Sequence, residues 1–535
     1  MAALCALAIG FRAVSGARTA VMFNDGPEFL AMAEAMARGD FGVALGDAYH
    51  PLYSLLTVIA YWLTGGGAPD RLATCAVAVS VLSGGVAVAC LYAFLRDAFG
   101  FRAAWLGALA LALHPYATRY ASDVQSDGPY LALFLAAVAL LWLALRRCSL
   151  ALAGWAGAFS GLAYLTRPEG FGVALLGAAA GVVLALRAAV RGGRPAAWLV
   201  LALAVLAGAA LTMSPYLVVL RADTGGWTLS KKKSVAELAT GEEEDDAPRA
   251  EHAAARPPAP NAPSPTPSVR APVELPAGFG RSLGVAAYDL FRTLLGALRP
   301  EIAVFLAFGL WLRRGRPGPV GWFALAFVGL YGALLLLLAF HSGYVSKRHV
   351  LPPATLAFGW VGLGIPAFGA VVLRALGRLR PRLDATGPRA AVALGAGTLV
   401  AFAVAKELRP HRAEGLAERR AAEWLRVRPD AGGVAVDKRR VAWYARRAYV
   451  SLRVAPDAGI ADYLRATGAR WVIADEEAIE ERPALGEALS RELVEIHRAE
   501  AGHDVARVFA LEDGAAGTAP VASGAPARDG AGKEH

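Results

Sequence analysis

Cysteine is scarce in this chain, which has four among its 535 residues. They are Cys5, Cys75, Cys90 and Cys148, which lie in or beside apolar runs, and no pair has the spacing of a metal site. The sequence therefore predicts neither a disulfide framework nor a zinc site. Ten-residue stretches that alternate apolar with polar residues are also lacking, which argues against strands as membrane-spanning elements.

Charged residues make up 18% of the chain but are nearly absent from a series of long apolar runs, and 56% of all residues are hydrophobic. Each run can cross a hydrocarbon core of roughly 30 Å as a helix, and a helix satisfies its own backbone hydrogen bonds in lipid. We therefore predict an α-helical multi-pass membrane protein with about eleven transmembrane helices. They lie near residues 1–23, 72–95, 103–118, 129–145, 151–166, 170–186, 196–220, 299–312, 320–341, 351–373 and 388–406.

Basic residues are concentrated in every second connection between these helices. Those connections carry Arg96, Arg102, Arg146, Arg147, Arg187, Arg191, Arg194, Arg313, Arg314, Arg316, Arg374, Arg378, Arg380 and Arg382. By the positive-inside rule, this distribution predicts a cytoplasmic N-terminus and an extracytoplasmic C-terminal domain, in a plasma membrane. The net charge of +10 is thus a signal of topology and does not indicate nucleic-acid binding.

The transmembrane part is predicted to occupy residues 1–406. Its first helix contains Arg12 and Arg18, so it is either a transmembrane helix cut short or a signal-like segment, and no small-residue cleavage site favours its removal. Residues 24–71 form a first outer loop. Within it, apolar residues from Phe29 to Met36 recur at the spacing of an interfacial helix.

Three further regions are predicted to lie outside the membrane. Residues 221–298 form a long outer loop, whose acidic and proline-rich part, 241–276, cannot bury a core and is predicted to be disordered. Residues 410–512 alternate helical and strand patterns, which predicts a small α/β domain. Residues 513–535 are rich in alanine, glycine and proline, as in a mobile tail.

Charged and polar residues gather just outside the helix ends on one predicted side. They are Asp25, Glu28, His50, Asp123, Asp127, Arg167, Glu169, Lys231 with Lys232 and Lys233, Lys347 and Arg348. Carboxylates can act as general bases, and cations can bind phosphate. Their convergence would form an active site at the outer interface for an anionic, lipid-linked substrate.

Most of these residues also have a purely structural interpretation. Asp25 would cap the interfacial helix, and Asp123 and Asp127 would cap the next transmembrane helix. Arg167 and Glu169 would form an ion pair in a tight turn. Lys347 and Arg348 would anchor a helix at the headgroups by snorkelling. His50 alone indicates little.

Five segments together resemble a known family. They are NDGPEFL at 24–30, HPLY at 50–53, SDGPYL at 126–131, GLAYLTRPEG at 161–170 and KRHVLP at 347–352. In this order the segments are similar to the bacterial branch of the protein O-mannosyltransferase and aminoarabinose-transferase family, glycosyltransferase family 39, within the glycosyltransferase-C superfamily. The resemblance covers about residues 1–370, and the C-terminal domain resembles the extracytoplasmic domain of many members.

The resemblance implies an inverting transfer of one sugar from a polyprenyl phosphate to a hydroxyl or amine on the outer face. Asp25 matches the position of the catalytic base in that family. The leaving phosphate would be held by Arg167, Lys347 and Arg348, with Lys231 behind them, and Asp123 and Asp127 would orient acceptor or sugar. Related acceptors include protein, lipid and glycan.

The need for a metal stays open at this stage. Family members often have two adjacent acidic residues at the first-loop site, whereas Asn24 precedes Asp25 here. This departure puts a divalent-metal requirement in doubt, and no other cofactor is implied.

Two other classes of function compete with the enzyme. A transporter or lipid flippase also has many helices and paired charges, but it typically shows ionisable residues at mid-membrane and an internal repeat. The acidic residues here concentrate at helix ends, and we find no clear repeat. A non-enzymatic cell-envelope assembly factor is the third possibility.

Overall fold

The computed structural model describes residues 1–67, 69–231, 282–315, 318–342, 345–378, 387–407 and 411–511, and structural statements refer to these residues. They divide into two compact units, which meet in the chain between His411 and Arg412. We name residues up to His411 the membrane unit and those from Arg412 the C-terminal unit. The predicted disorder of 241–276, the predicted tail 513–535, and Lys232 and Lys233 lie outside the described residues.

The membrane unit is helical throughout its described residues. Its helices are α1 Ala2–Ala17, α2 Gly26–Ala37, α3 Phe41–Gly46, α4 Leu52–Leu63, α5 Pro69–Phe99, α6 Phe101–Ala112, α7 Pro115–Tyr120, α8 Asp127–Arg147, α9 Leu150–Tyr164, α10 Gly172–Val190, α11 Pro195–Thr224, α12 Leu283–Leu298, α13 Pro300–Leu312, α14 Pro319–Ser342, α15 Lys347–Ala354, α16 Phe358–Gly377 and α17 Pro388–Glu407. Short 3₁₀ turns, Pro168–Phe171 and Thr355–Ala357, precede α10 and α16.

Every predicted transmembrane window falls on helix, which confirms the multi-pass helical class. In the described part of the chain, seven helical segments are long and apolar enough to cross a membrane, and a bent pair, α12 with α13, raises the number to eight. Four apolar helices are shorter: α1, α4, α6 and α9. The windows near 1–23, 103–118 and 151–166 fall on α1, α6 and α9, which have 16, 12 and 15 residues.

Two breaks between consecutive helices have local causes. The window 103–118 contains both α6 and α7, and the chain breaks between them at His114, where the backbone is extended and Pro115 opens the next helix. Helices α12 and α13 meet at 93°, at Arg299 and Pro300. Helix α12 lies inside the predicted outer loop 221–298, where sequence analysis placed no helix.

The predicted interfacial helix exists as α2, but its apolar face is covered by protein. Phe29, Met32, Ala33 and Met36 are buried, and α2 packs on α4, which the sequence analysis did not predict. Ser54 of α4 donates a hydrogen bond to the Phe29 carbonyl at 2.9 Å. The spacing of the apolar residues therefore predicted the helix correctly, and the neighbouring helix α4 covers its apolar face.

Small residues allow the helices of the membrane unit to approach each other closely. A Cβ at Gly364 of α16 would collide with the Phe305 carbonyl of α13, and one at Gly395 of α17 would collide with the Ile365 carbonyl of α16. Backbone contact of this kind favours association of helices in lipid, where burial of apolar surface gives little driving force. These glycines thus fix the crossings of α13, α16 and α17.

The C-terminal unit is a small α/β layer, as predicted. Its strands are β1 Gly433–Val436, β2 Tyr449–Ser451, β3 Ala469–Asp475, β4 Val494–Ala501 and β5 Asp504–Ala510, and its helices are α18 Leu416–Arg426, α19 Arg439–Ala445, α20 Ile460–Thr467, α21 Glu476–Glu481 and α22 Pro483–Glu492. The strand order is β2-β1-β3-β5-β4. Strand β1 is parallel to β2 and β3, and β5 is antiparallel to β3 and β4. Apolar clusters cover both faces of the sheet.

Candidate functional site

Asp25 stands at the start of α2 but does not cap it. Its side chain makes no capping hydrogen bond, and its Oδ2 instead accepts a hydrogen bond from Arg348 Nη1 at 3.2 Å. The two side chains are 25% and 22% exposed, so the pair can be reached from outside the protein core. The structure thus brings together a carboxylate from the first loop and a cation that opens α15.

Arg167 joins two other predicted residues. Its Nη1 lies 2.8 Å from Asp127 Oδ1 and its Nη2 lies 3.3 Å from Glu169 Oε1. Burial alone would lower the pKa of Arg167, but Glu169 and Asp127 raise it above the ordinary value. Arg167 therefore stays charged, and its guanidinium holds the first residue of α8 next to the turn before α10.

Arg348 and His349 connect these two ion-pair groups. His349 Nε2 lies 4.0 Å from Glu169 Oε1. Its Nδ1 accepts from the Ser346 backbone N–H at 3.4 Å, which leaves Nε2 to carry the proton that faces Glu169. Sequence analysis assigned no role to His349. Since Arg348 and His349 are consecutive, one turn of α15 contacts both Asp25 and the Arg167 group.

A pocket lies between these side chains. Asp127 and Arg348 line it together with Tyr120, Tyr130 and Pro352. These residues come from α7, α8 and α15, and their approach requires the break between α6 and α7. Its walls carry a carboxylate, a guanidinium and aromatic rings, and its cavity volume of about 10 Å³ has room for one water molecule.

Lys347 faces a tyrosine that the sequence analysis did not identify. Its Nζ donates to Tyr116 Oη at 2.8 Å and lies 4.8 Å from the centre of the ring. The guanidinium of Arg299 lies 5.8 Å from the same ring centre. Two cations thus approach the ring of Tyr116. The side of α15 that carries Lys347 is therefore strongly electropositive.

Two predicted residues contact another part of the membrane unit. Lys231 donates to the Leu45 carbonyl at 2.6 Å and pairs with Asp223 at 2.7 Å. His50 is buried, with its ring centre 4.9 Å from that of Tyr164. These contacts join the first loop to α9 and α11, and neither residue lines the pocket described above.

The remaining predicted residues either accept hydrogen bonds from backbone N–H groups or lie in the first turn of a helix. Asp123 is buried, and its carboxylate accepts from the backbone N–H groups of Phe23 at 3.0 Å and Val124 at 2.7 Å. It thereby fixes the end of the segment that leads from α1 to Asp25. Glu28 lies in the first turn of α2. Within the described ranges, no group of three or more His, Cys, Asp or Glu side chains is placed to hold a metal ion.

Comparison with known proteins gives a family match and a fold. Residues 58–219 match the model of the dolichyl-phosphate-mannose-protein mannosyltransferase family. The chain is similar in structure to ArnT from Cupriavidus metallidurans bound to undecaprenyl phosphate, with 16% identity, a TM-score of 0.56, and 97% of this chain and 99% of that chain covered. The apo state of the same ArnT gives 16% identity, a TM-score of 0.55, and coverage of 95% and 97%. The sequence search of curated proteins finds no match.

These findings agree with the resemblance carried by the sequence segments. At 16% identity the ArnT structures show the fold, and the family model adds the enzyme class over the helices α5 to α11. The predicted superfamily and the predicted enzyme class are both confirmed. The chain thus has the fold of the glycosyltransferase-C superfamily, and the family match over residues 58–219 identifies it as a membrane glycosyltransferase.

Proposed function

We propose that this glycosyltransferase transfers one sugar from a polyprenyl phosphate to an acceptor on the extracytoplasmic face, with inversion at the anomeric carbon and Asp25 as general base. The observation that carries the proposal is the contact of Asp25 with Arg348, which lines the pocket. The matched family and the undecaprenyl phosphate bound by the similar ArnT support the choice of donor.

In the proposed step, Asp25 takes the proton of an acceptor hydroxyl or amine as its oxygen or nitrogen bonds to the anomeric carbon. The bond between that carbon and the phosphate oxygen breaks, and the phosphate leaves with the electron pair. A carboxylate that caps a helix would be occupied by backbone N–H groups, whereas Asp25 makes no such bond. Arg348 holds the carboxylate in place through a hydrogen bond of 3.2 Å.

The leaving phosphate is assigned to Arg348 and Lys347. Cations fixed near the developing charge lower the barrier of such a step more than mobile ones, because they need no rearrangement. Lys347 is oriented by Tyr116, and Arg348 lines the pocket. Arg167 is bound to two carboxylates, so we assign it to positioning Asp127 and Glu169 rather than to direct phosphate binding.

The sugar donor and the role of Asp25 can be tested in one assay. Membranes that contain the protein are incubated with labelled prenyl-phosphate sugars, and label in the water-soluble, protein and lipid fractions is followed. Asp25→Asn should lower transfer by about 100-fold or more, the range that a general base contributes, at unchanged membrane abundance. Asp40→Asn is the matched control, because Asp40 follows in the same loop and is exposed.

Two outcomes would reject this proposal. Transfer by the Asp25→Asn protein at the rate of the unchanged protein would remove Asp25 from the base position. Label that crosses the membrane while still attached to its prenyl phosphate would support a lipid flippase instead. The fraction that gains the label also identifies the acceptor as protein, lipid or glycan.

A further inference from the structure

A second charged group lies in the membrane unit, away from the residues discussed so far. The guanidinium of Arg119 on α7 donates to His411 Nδ1, from Nε at 3.0 Å and from Nη2 at 2.8 Å. His411 Nε2 lies 2.9 Å from Glu407 Oε2 at the end of α17. A guanidinium can only donate, so Nδ1 accepts and Nε2 carries the proton, which it donates to Glu407. The geometry thus fixes one neutral tautomer of His411.

His411 and Glu407 are buried, Arg119 is exposed, and another charged residue lies nearby. The side chains of His411 and Glu407 are 4% and 5% exposed. Arg12 of α1 is fully buried nearby and donates to the carbonyls of Leu111 and Ala112, which end α6. Buried charges persist only where partners compensate for lost water, so loss of the His411 ring removes a hydrogen-bond donor from the buried Glu407 carboxylate.

The backbone of His411 holds the segment that leads to Asp25. Its carbonyl accepts from the Ala20 N–H at 2.9 Å, and its N–H donates to the Arg18 carbonyl at 3.3 Å, which forms a parallel bridge at Thr19. Arg18 Nη1 also donates to the Glu407 carbonyl at 3.4 Å. The segment between α1 and α2 is therefore paired with the residue that Arg119 fixes.

The other end of the group reaches the pocket wall. Arg119 belongs to α7, and the neighbouring residues Ala117 and Tyr120 line the pocket with Asp127 and Arg348. His411 thus connects a structure that lines the pocket with one that contacts the pocket residue Arg348 through Asp25. One is the helix that forms a wall, and the other is the segment that ends at the proposed base.

We propose that Arg119, His411 and Glu407 are positioning residues for the sugar transfer, and that they set the distance between Asp25 and the pocket wall. The effect on catalysis rests on the proposed role of Asp25, whereas the mechanical coupling does not. Loss of the His411 side chain should release the Arg18–Asp25 segment and α7 together, although these two structures are far apart in the sequence.

Hydrogen exchange of the full-length protein tests the coupling without an activity assay. In His411→Ala, peptides that cover residues 18–25 and 115–120 should exchange about tenfold faster or more, since a hydrogen bond to a charged group stabilises more than one between neutral groups. Peptides from α8 should be unchanged. His411→Gln, which keeps an acceptor and a donor, should show a smaller effect. His503→Ala, at an exposed turn of the C-terminal unit, is the control.

The catalytic part is read from the steady-state constants of the same proteins. We expect kcat to fall about tenfold in His411→Ala, with KM for the donor changed less than about threefold and partial recovery in His411→Gln. Unchanged exchange in residues 18–25 would overturn the proposal, whatever the activity. Faster exchange with normal kcat would overturn the positioning role. Absence of sugar transfer by the unchanged protein would reject the proposed function, and exchange would still decide the coupling.

Discussion

Lys347, Arg348 and His349 are three consecutive residues with three different partners: Tyr116, Asp25 and Glu169. They lie in the first turn of α15, where successive side chains point about 100° apart around the helix axis. A single helical turn can therefore contact three separate structures. This geometry explains why the sequence KRHVLP carries so much of the candidate site.

Sequence analysis could select candidate residues only by local features. Asp25, Asp127, Arg167, Glu169, Lys347 and Arg348 were chosen because each charge stands at a helix end. Tyr116 and His349 were missed, since a tyrosine and a histidine near apolar runs are ordinary residues until their partners are known. For Asp25 the sequence left two interpretations open, a cap of α2 and a catalytic base, and only the structure shows that its side chain makes no capping hydrogen bond.

Glu418 provides a prediction at the residue scale, in the C-terminal unit. Its Oε1 lies 3.1 Å from Lys438 Nζ, which also contacts Asp475 at 3.0 Å. Burial raises the pKa of Glu418 to about 7. The negative charge of Asp475 also raises this pKa, whereas the positive charge of Lys438 lowers it. The folded state therefore binds this proton more tightly than the unfolded state does.

Stability of the C-terminal unit should then fall as the pH rises from about 5 to about 7.5. A carboxyl group with a raised pKa stabilises the fold while it is protonated, and this contribution is lost as the pH passes the folded pKa, by roughly 2–3 kcal/mol at most. Hydrogen exchange of β1 and β3, corrected for intrinsic rates, measures the opening free energy. Glu418→Gln should show no such decline, and an equal decline in this variant would contradict the prediction.

Breaks between elements shape the pocket as much as the elements themselves. Helix α6 ends at Ala112, and α7 starts at Pro115, so Tyr116 and Tyr120 leave the line of the preceding helix. Arg12 stabilises this break by donating to the last carbonyls of α6. The apolar pattern of residues 103–118 predicted a single helix, because hydropathy does not report the change of direction at Pro115.

A pair of glycines on α17 provides a prediction at the scale of elements. Gly395 faces the Ile365 carbonyl of α16 so closely that a Cβ would collide with it, whereas Gly397 has no atom within 4 Å of an added Cβ. Gly395→Ala should lower stability in detergent by about 1–3 kcal/mol because backbone cannot move aside easily. Gly397→Ala should be neutral or slightly stabilising, since alanine favours helix.

Thermal unfolding of the purified variants in detergent checks this pair. The two substitutions add the same methyl group two residues apart on one helix, so differences in helix propensity cancel. Equal melting temperatures would show that the close approach of α16 and α17 does not limit stability.

At the scale of the whole molecule, the orientation in the membrane is open to a direct test. Cys148 is exposed and follows Arg146 and Arg147 at the end of α8, on the predicted cytoplasmic side. Asp462 is 86% exposed in the C-terminal unit. A membrane-impermeant maleimide added to intact cells should label an Asp462→Cys variant and leave Cys148 unlabelled. Labelling of Cys148 only after permeabilisation is the control, and the reverse pattern would contradict the orientation.

The sequence by itself determined the class of the protein, because the length of an apolar run and the alternation of strand and helix patterns are local properties. It also determined which helix ends carry charge. Only the tertiary structure decided which charges meet: Asp25 and Arg348 are 323 positions apart, and Arg119 and His411 are 292 apart. No local pattern encodes such pairs, since they depend on how helices cross, and the crossings depend on close backbone contacts at residues such as Gly364 and Gly395.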